Sequence, residues 1–169
     1  MEQRWHVGTW MVPSYDPALD KIYIGTSVTI PAAKFILGGA DKQHLYHDST
    51  LALDPATGKI VWYYQHLIDH WDLDHPFERL LVDTAVAPDP KEVPWINPRI
   101  KPGEKRKVVT GIPGKSGIIY TLDRKTGEFL WARPTVMQNV IKTIDGATGK
   151  VTDNPDVTFS RKDETHFVC

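Results

Sequence analysis

The densest group of chemically active side chains lies in residues 65–75, where three aspartates and three histidines occur within eleven positions. Side chains two residues apart share one face of an extended segment, so His70, Asp72 and Asp74 are expected to point the same way. Two neighbouring carboxylates raise each other's pKa unless a cation lies between them. The pattern therefore predicts a metal site or a general base. The alternative is a solvated loop whose charges face water.

Other catalytic patterns are weaker or absent. His66, His70 and His75 could form a zinc site with a carboxylate, although nothing in zinc chemistry explains their spacing. His44 and His47 lie in a predicted loop and are interpreted as ordinary polar residues. The sequence contains no glycine-rich phosphate loop, no Gly-x-Ser-x-Gly motif and no basic aromatic patch, so nicotinamide dependence has no support.

The composition excludes several classes of partner. Hydrophobic residues make up 41% of the 169 residues and charged residues 24%, as in ordinary globular chains. A formal net charge of -1 gives no reason to expect nucleic acid or an anionic membrane as partner. No apolar run approaches the ~20 residues that span a bilayer. The one cysteine, Cys169, cannot form an internal disulfide.

The elements that must position these residues are short β-strands separated by turns, and no stretch shows a sustained helical period. A turn is predicted at residues 15–20, and long loops are predicted at residues 29–48 and 88–106. The sequence therefore predicts an all-β chain. Its strands are expected at residues 21–27, 50–53, 59–64, 107–111, 117–122 and 128–132.

Two hairpins of the chain are copies of one pattern, because residues 53–62 match residues 122–131. In each copy an aspartate is expected to accept hydrogen bonds from its own turn, and a glycine is expected to adopt a positive φ. Trp62, at the end of the first copy, offers a flat face to a neighbouring unit. A third copy at residues 144–150 lacks the tryptophan and is interpreted as a hairpin insertion.

Repeated hairpins of this kind are typical of β-propellers, in which each four-stranded blade buries its face against the next blade. A blade takes roughly 40–50 residues, so the chain is predicted to hold about three blades. A closed ring needs four or more. The alternative is a small β-sandwich with two similar hairpins.

Several segments, in order and in register, resemble the pyrroloquinoline quinone (PQQ)-dependent alcohol dehydrogenases, the quinoprotein methanol and ethanol dehydrogenase family. The resemblance covers essentially the whole chain. It implies an eight-bladed propeller of which residues 1–169 are an incomplete internal portion. The residues that carry it lie in the segment 64–74 with Trp71-Asp72-Leu73-Asp74, the segment 10–26 with Tyr15-Asp16-Pro17, and the segment 113–124 with Pro113-Gly114-Lys115-Ser116.

The resemblance implies roles for three residues. Asp72 falls where the family has its catalytic base, which takes the hydroxyl proton of the alcohol. Trp10 falls at the indole on which the PQQ ring stacks. Lys115 falls where the family places a basic residue on the quinone oxygens, and there a positive charge stabilises the reduced ring.

The resemblance also implies a metal ion, either calcium or a lanthanide, bound by Asp72 and Asp74. Lanthanide-dependent members have an aspartate at the position of Asp74, and a trivalent ion favours additional anionic oxygen ligands. Asp74 therefore favours a lanthanide. The sequence departs from the family at Val28, which stands where the family has a metal-binding asparagine; Ser27, Thr29 or water could substitute for it.

The same resemblance implies a periplasmic protein that oxidises a small alcohol and passes electrons to a cytochrome c. A different class of function stays open, namely a non-catalytic propeller that serves as a scaffold for protein binding. Trp10, Asp72 and Lys115 together favour the dehydrogenase, because a scaffold needs none of them. Val28 favours the scaffold.

Overall fold

The computed structural model describes residues 6–30, 44–67 and 72–157. Within these ranges the chain consists of strands and turns, with a single 3-10 turn at Pro155–Val157. No helix among the described residues is long and apolar enough to cross a membrane. The all-β prediction is therefore confirmed. His70, Trp71 and Cys169 lie outside the described residues, as does the central part of the loop predicted at residues 29–48.

The described residues form thirteen strands. They are β1 His6–Val7, β2 Ser14–Asp16, β3 Lys21–Gly25, β4 Thr29–Ile30, β5 Ser49–Leu53, β6 Ile60–Gln65, β7 Leu80–Val86, β8 Trp95–Ile96, β9 Glu104–Gly111, β10 Ile118–Asp123, β11 Phe129–Pro134, β12 Ile141–Ile144 and β13 Val151–Asp153.

All strand pairs are antiparallel, and two sheets dominate the fold. The first has four strands in the order β2-β3-β5-β6, and the second has five in the order β7-β9-β10-β11-β8. Two further pairs, β1-β4 and β12-β13, are two-stranded. Each large sheet contains the consecutive antiparallel strands that a propeller blade requires.

One hydrophobic core joins the two large sheets. Tyr23, Trp62 and Tyr64 of the first sheet pack in the same buried cluster as Tyr120 and Phe129 of the second. The β12-β13 hairpin contributes three more members, so it packs on the sheets rather than standing apart; these are Ile141, Ile144 and Val151. The third copy of the hairpin pattern thus forms a hairpin, as predicted.

The six predicted strands are present, within a few residues of their expected ends, but other strands were not anticipated. The segment predicted as a turn at residues 15–20 begins inside β2, and the predicted loop at residues 88–106 contains β8 and the start of β9. Strand β7 lies at an edge of its sheet, and most of its side chains are exposed or half-buried. An edge strand of this kind lacks the apolar alternation by which strands are recognised.

The repeated turns have the expected chemistry. Asp54 Oδ1 accepts a hydrogen bond from the backbone N–H of Thr57 at 2.8 Å, and Asp123 Oδ1 accepts one from Thr126 at 3.0 Å. The glycines of the two turns, Gly58 and Gly127, have φ values of 68° and 77°. These are left-handed values that glycine adopts without steric cost.

Trp62 docks the first hairpin on the turn of the second. Its Nε1–H donates to the carbonyl oxygen of Arg124 at 3.2 Å, and the hydroxyl of Tyr23 donates to the same oxygen at 2.7 Å. A Cβ atom on Gly127 would lie 2.8 Å from the Trp62 ring. The tryptophan face predicted to meet a neighbouring unit therefore does so, and the glycine permits the close approach.

This contact can be tested with a matched pair of glycine variants. Gly58→Ala, which faces open space, is expected to lower the free energy of unfolding only by the left-handed strain of about 1–2 kcal/mol. Gly127→Ala adds a clash with Trp62, and overpacking costs a further ~1–3 kcal/mol. Urea unfolding of the two variants measures the difference. Equal losses would show that the second turn does not press on Trp62.

Candidate functional site

Three segments far apart in sequence meet at the end of the first sheet. They are the chain after β3, the segment at residues 72–75, and the loop between β9 and β10. We call the side chains of Asp72, Asp74 and Lys115 the Lys115 site. The Nζ atom of Lys115 lies 3.0 Å from Asp72 Oδ1 and 2.7 Å from Asp74 Oδ2. Two carboxylates thus share one ammonium group.

The sharing of one cation has an electrostatic consequence. The hydrogen bond to Asp74 raises the pKa of Lys115, with further contributions from the hydrogen bond to Asp72 and from the two negative charges. Lys115 is therefore a fixed positive charge at neutral pH. In the structure the cation between the two carboxylates is a side chain of the protein itself, and the metal ion expected there stays a prediction.

The backbone that carries Asp72 and Asp74 is not fully extended, contrary to the prediction from the sequence. Asp72 has φ 49°, a left-handed conformation within a turn, so simple alternation of side chains does not apply at this residue. Aspartate is one of the few non-glycine residues that adopt this region readily. The Asp72 side chain is 66% exposed, whereas that of Asp74 is 9% exposed. The outer carboxylate is thus open to solvent and the inner one is held by the protein.

Val28 contacts the site through its backbone. Its N–H donates to Asp74 Oδ1 at 3.3 Å, while the residue as a whole is buried. Ser27 Oγ accepts a hydrogen bond from Gly8 at 2.9 Å and donates to the Val28 carbonyl oxygen at 3.0 Å. The Thr29 hydroxyl is buried and has no hydrogen-bond partner among the residues that the structure describes. Ser27 is therefore already engaged, whereas the Thr29 oxygen is unused within the described part of the chain.

Trp10 lies near these segments but does not join the Lys115 site. Gly8 and Ser27 exchange a pair of hydrogen bonds, and a Cβ atom on Gly8 would lie 3.4 Å from the Trp10 ring. Trp10 is 58% exposed. In the described part of the chain it forms no hydrogen bond or ion pair with Lys115 or the two aspartates. Its large free face is the feature that a stacking ligand requires.

Beneath the site lies a buried polar layer that the sequence interpretation missed. Arg79 donates to Thr50 Oγ1 at 3.0 Å and to the carbonyl oxygens of His75 at 2.8 Å and Pro113 at 3.3 Å. Burial lowers the pKa of Arg79 to about 9, so it remains protonated at neutral pH. One guanidinium therefore ties β5, the segment after Asp74 and the loop of Lys115 together.

The histidines of this region are buried rather than exposed. His66 and His75 stack with ring centroids 5.3 Å apart, and His44 and His47, interpreted as ordinary loop residues, are also buried. Burial lowers the pKa of His66 well below its usual value. The zinc hypothesis also needs His70, which lies outside the described residues. Among the described residues, no three His, Cys, Asp or Glu side chains form a metal-binding group.

The Lys115 site supplies part of the ligand set of a hard metal ion. Asp72 and Asp74 point to one shared cation, and carboxylate oxygens are the ligands that calcium and similar ions prefer. The Val28 side chain offers no ligand atom. The two carboxylates thus fit as anionic ligands, although such ions take about 6–8 oxygens and two side chains supply only part of that set.

Comparison with known proteins gives a consistent result. The sequence profile of the PQQ-type glucose/ethanol/alcohol dehydrogenase β-propeller domain matches residues 1–152. The quinohemoprotein alcohol dehydrogenase ADH IIB of Pseudomonas putida is 29% identical over 166 residues, which cover 95% of this chain and 22% of that protein. A lanthanide-dependent methanol dehydrogenase of Methylacidiphilum fumariolicum is 31% identical, and the match covers 99% of this chain and 25% of that protein.

The structure is similar as well. It superposes on the quinohemoprotein alcohol dehydrogenase ADHIIG of Pseudomonas putida with a TM-score of 0.75 and 28% identity, covering 93% of this chain and 21% of that one. The partial propeller predicted from the hairpin repeats is therefore confirmed. The chain spans about a fifth to a quarter of the length of the relatives it matches.

Proposed function

Because the chain belongs to the PQQ-type glucose/ethanol/alcohol dehydrogenase β-propeller family, we propose that it is part of a quinoprotein that oxidises an alcohol. The observation that carries the proposal is the meeting of Lys115 with Asp72 and Asp74, over sequence separations of 43 and 41 residues. A dehydrogenase of this kind needs a base and a fixed positive charge side by side. A propeller that only binds proteins does not.

Asp72 is the proposed general base. Its carboxylate is exposed, so an alcohol can reach it, and it would accept the hydroxyl proton as the carbon–hydrogen bond of the alcohol breaks. PQQ, bound beside Asp72, would supply the acceptor for the hydride of the alcohol carbon. Lys115 holds the base in place through its 3.0 Å hydrogen bond and offers positive charge where negative charge develops. Trp10 supplies an exposed aromatic face for the ring of the cofactor.

Asp72 and Asp74 are also the residues that would hold a metal ion. Bound there, calcium or a lanthanide supplies a Lewis acid. Asp74 adds an anionic oxygen that favours the trivalent ion, in line with the similarity to a lanthanide-dependent methanol dehydrogenase. The proposed setting is periplasmic, with a small alcohol as substrate and a cytochrome c as electron acceptor.

The partial propeller itself predicts how the isolated chain behaves. Edge strands β6 and β7 expose apolar side chains that a further blade would cover, namely Ile60, Val61, Tyr63, Leu80 and Val82. Exposed apolar edges promote association. The purified 169-residue chain is therefore expected to self-associate, to lose PQQ on gel filtration and to show no dye-linked alcohol oxidation.

The matched experiment uses the full-length protein that carries this chain, under the same conditions. It is expected to retain PQQ and to oxidise alcohols. Robust turnover by the monomeric 169-residue chain would overturn the assignment to a partial propeller. A full-length protein that neither binds PQQ nor oxidises any alcohol would instead favour the scaffold.

A further inference from the structure

A buried chain of side-chain contacts runs from Asp48 through His75 to Ser116, and within it the His75–Ser116 contact alone is a hydrogen bond. His75 Nδ1 lies 3.4 Å from Asp48 Oδ1, and His75 Nε2 lies 3.1 Å from Ser116 Oγ. Asp48 and His75 are 0% exposed and Ser116 is 3% exposed. Two of these residues are direct neighbours of the Lys115 site, because His75 follows Asp74 and Ser116 follows Lys115.

The backbone around this chain is tightly packed. The N–H of Lys115 donates to the carbonyl oxygen of Asp74 at 3.1 Å, and the N–H of Phe77 donates to that of Pro113 at 3.0 Å. A Cβ atom on Gly114 would lie 2.3 Å from the Asp74 carbonyl oxygen and 2.5 Å from the His75 ring. Only glycine allows the two segments to approach this closely, and His75 is the side chain that spans them.

An Asp–His–Ser series is also the arrangement of a hydrolytic triad, but exposure excludes that use. The Ser116 hydroxyl is buried, so no substrate reaches it. Burial raises the pKa of Asp48 well above its usual value and lowers the pKa of His75 to about 3. The His75–Ser116 contact is a buried hydrogen bond at 3.1 Å, whose effect is to fix geometry.

We propose that His75 is a positioning residue, which through its hydrogen bond to Ser116 holds the Lys115 loop over Asp74 and so keeps the ammonium of Lys115 between the two carboxylates. This role concerns how firmly Lys115 is held between Asp72 and Asp74, and not the reaction. It therefore stands or fails separately from the proposed alcohol oxidation.

The test measures how fast Lys115 is acetylated by trace acetic anhydride in the full-length apo-protein, with the modified peptide quantified by mass spectrometry. Ser116→Ala removes the bond to His75 with little change in volume. Loss of one hydrogen bond is expected to make Lys115 react roughly 5-fold faster, because the amine leaves its carboxylate partners more often.

Two controls separate positioning from general loosening. Lys107 is the internal standard. It is 40% exposed and pairs with Asp83 at 2.7 Å, much as Lys115 pairs with its aspartates. The acetylation rate of Lys107 is expected to stay constant in every variant. Ser49→Ala is the matched variant, because the Ser49 hydroxyl is equally buried and donates to the His47 carbonyl oxygen at 2.7 Å. It is expected to leave the Lys115 rate unchanged.

A second pair of variants tests His75 itself. His75→Gln keeps a group that can bond Ser116, and is expected to leave Lys115 close to its normal rate. His75→Leu removes the group and is expected to raise the rate as Ser116→Ala does. An unchanged Lys115 rate in a folded Ser116→Ala protein overturns the proposal. So does an equal increase in Ser49→Ala. If His75→Leu does not fold, Ser116→Ala decides alone.

Discussion

In the full-length protein, Asp72→Asn is expected to lower the turnover of alcohol by at least ~10²-fold, the contribution typical of a general base. Asparagine keeps the shape of the side chain but cannot accept the hydroxyl proton. The fold is expected to be unaffected, because the Asp72 side chain is 66% exposed and Lys115 keeps its 2.7 Å contact with Asp74. Steady-state dye-linked oxidation, PQQ content and urea unfolding measure the three quantities.

Asp20→Asn is the matched control. Asp20 is exposed and has φ 48°, almost the value of Asp72, so the same substitution meets the same left-handed backbone. Its turnover is expected to equal that of the unmodified protein. If Asp72→Asn also retained a near-normal rate, the base would be another group. If it lost PQQ instead, Asp72 would bind the cofactor rather than carry the proton.

The parts of the fold that could be predicted from sequence are those fixed by local chemistry. A turn closed by its own aspartate and glycine, as at Asp54 and Gly58, needs no distant partner, so both hairpin repeats were predicted correctly. Strand β7 was missed because its edge position leaves most of its side chains exposed or half-buried. Its apolar residues fall on both faces of the strand, so period-2 alternation gives no signal.

The candidate site likewise contains residues that the local sequence indicates and residues that it does not. Residues 72 and 74 were identified because two carboxylates close in sequence already indicate a cation. Lys115 was identified only through resemblance, since its partners lie more than 40 residues away. The Asp48–His75–Ser116 chain has no local pattern, because its members come from three separate segments. Asp72 lies in a turn with a positive φ, and side chains in a turn do not alternate between two faces as they do in a strand. Such contacts are decided by the packing of two sheets.

The identity of the metal gives the second large expected effect. Asp74→Ala is expected to weaken activation by lanthanum at least ~10-fold more than activation by calcium. A carboxylate about 4 Å from an ion contributes about 4 kcal/mol per unit of charge at an effective dielectric near 20, and lanthanum carries one unit more than calcium. Screening by solvent and salt reduces this extra attraction for lanthanum. Even when much of it is lost, removal of Asp74 is expected to weaken activation by lanthanum more than activation by calcium.

The experiment reconstitutes full-length apo-protein with PQQ and either lanthanum or calcium, and compares initial rates across a metal titration. Asp74→Asn is the matched variant, since it removes the charge but keeps an oxygen that can accept the hydrogen bond from Val28. If charge decides the preference for lanthanum over calcium, Asp74→Asn is expected to weaken activation by lanthanum as much as Asp74→Ala does. Equal activation by the two ions, insensitive to both substitutions, would mean that Asp74 serves only as the buried partner of Lys115 and Val28. In that case the lanthanide inference is wrong, and the ammonium of Lys115 is the cation for which this pair of carboxylates is built.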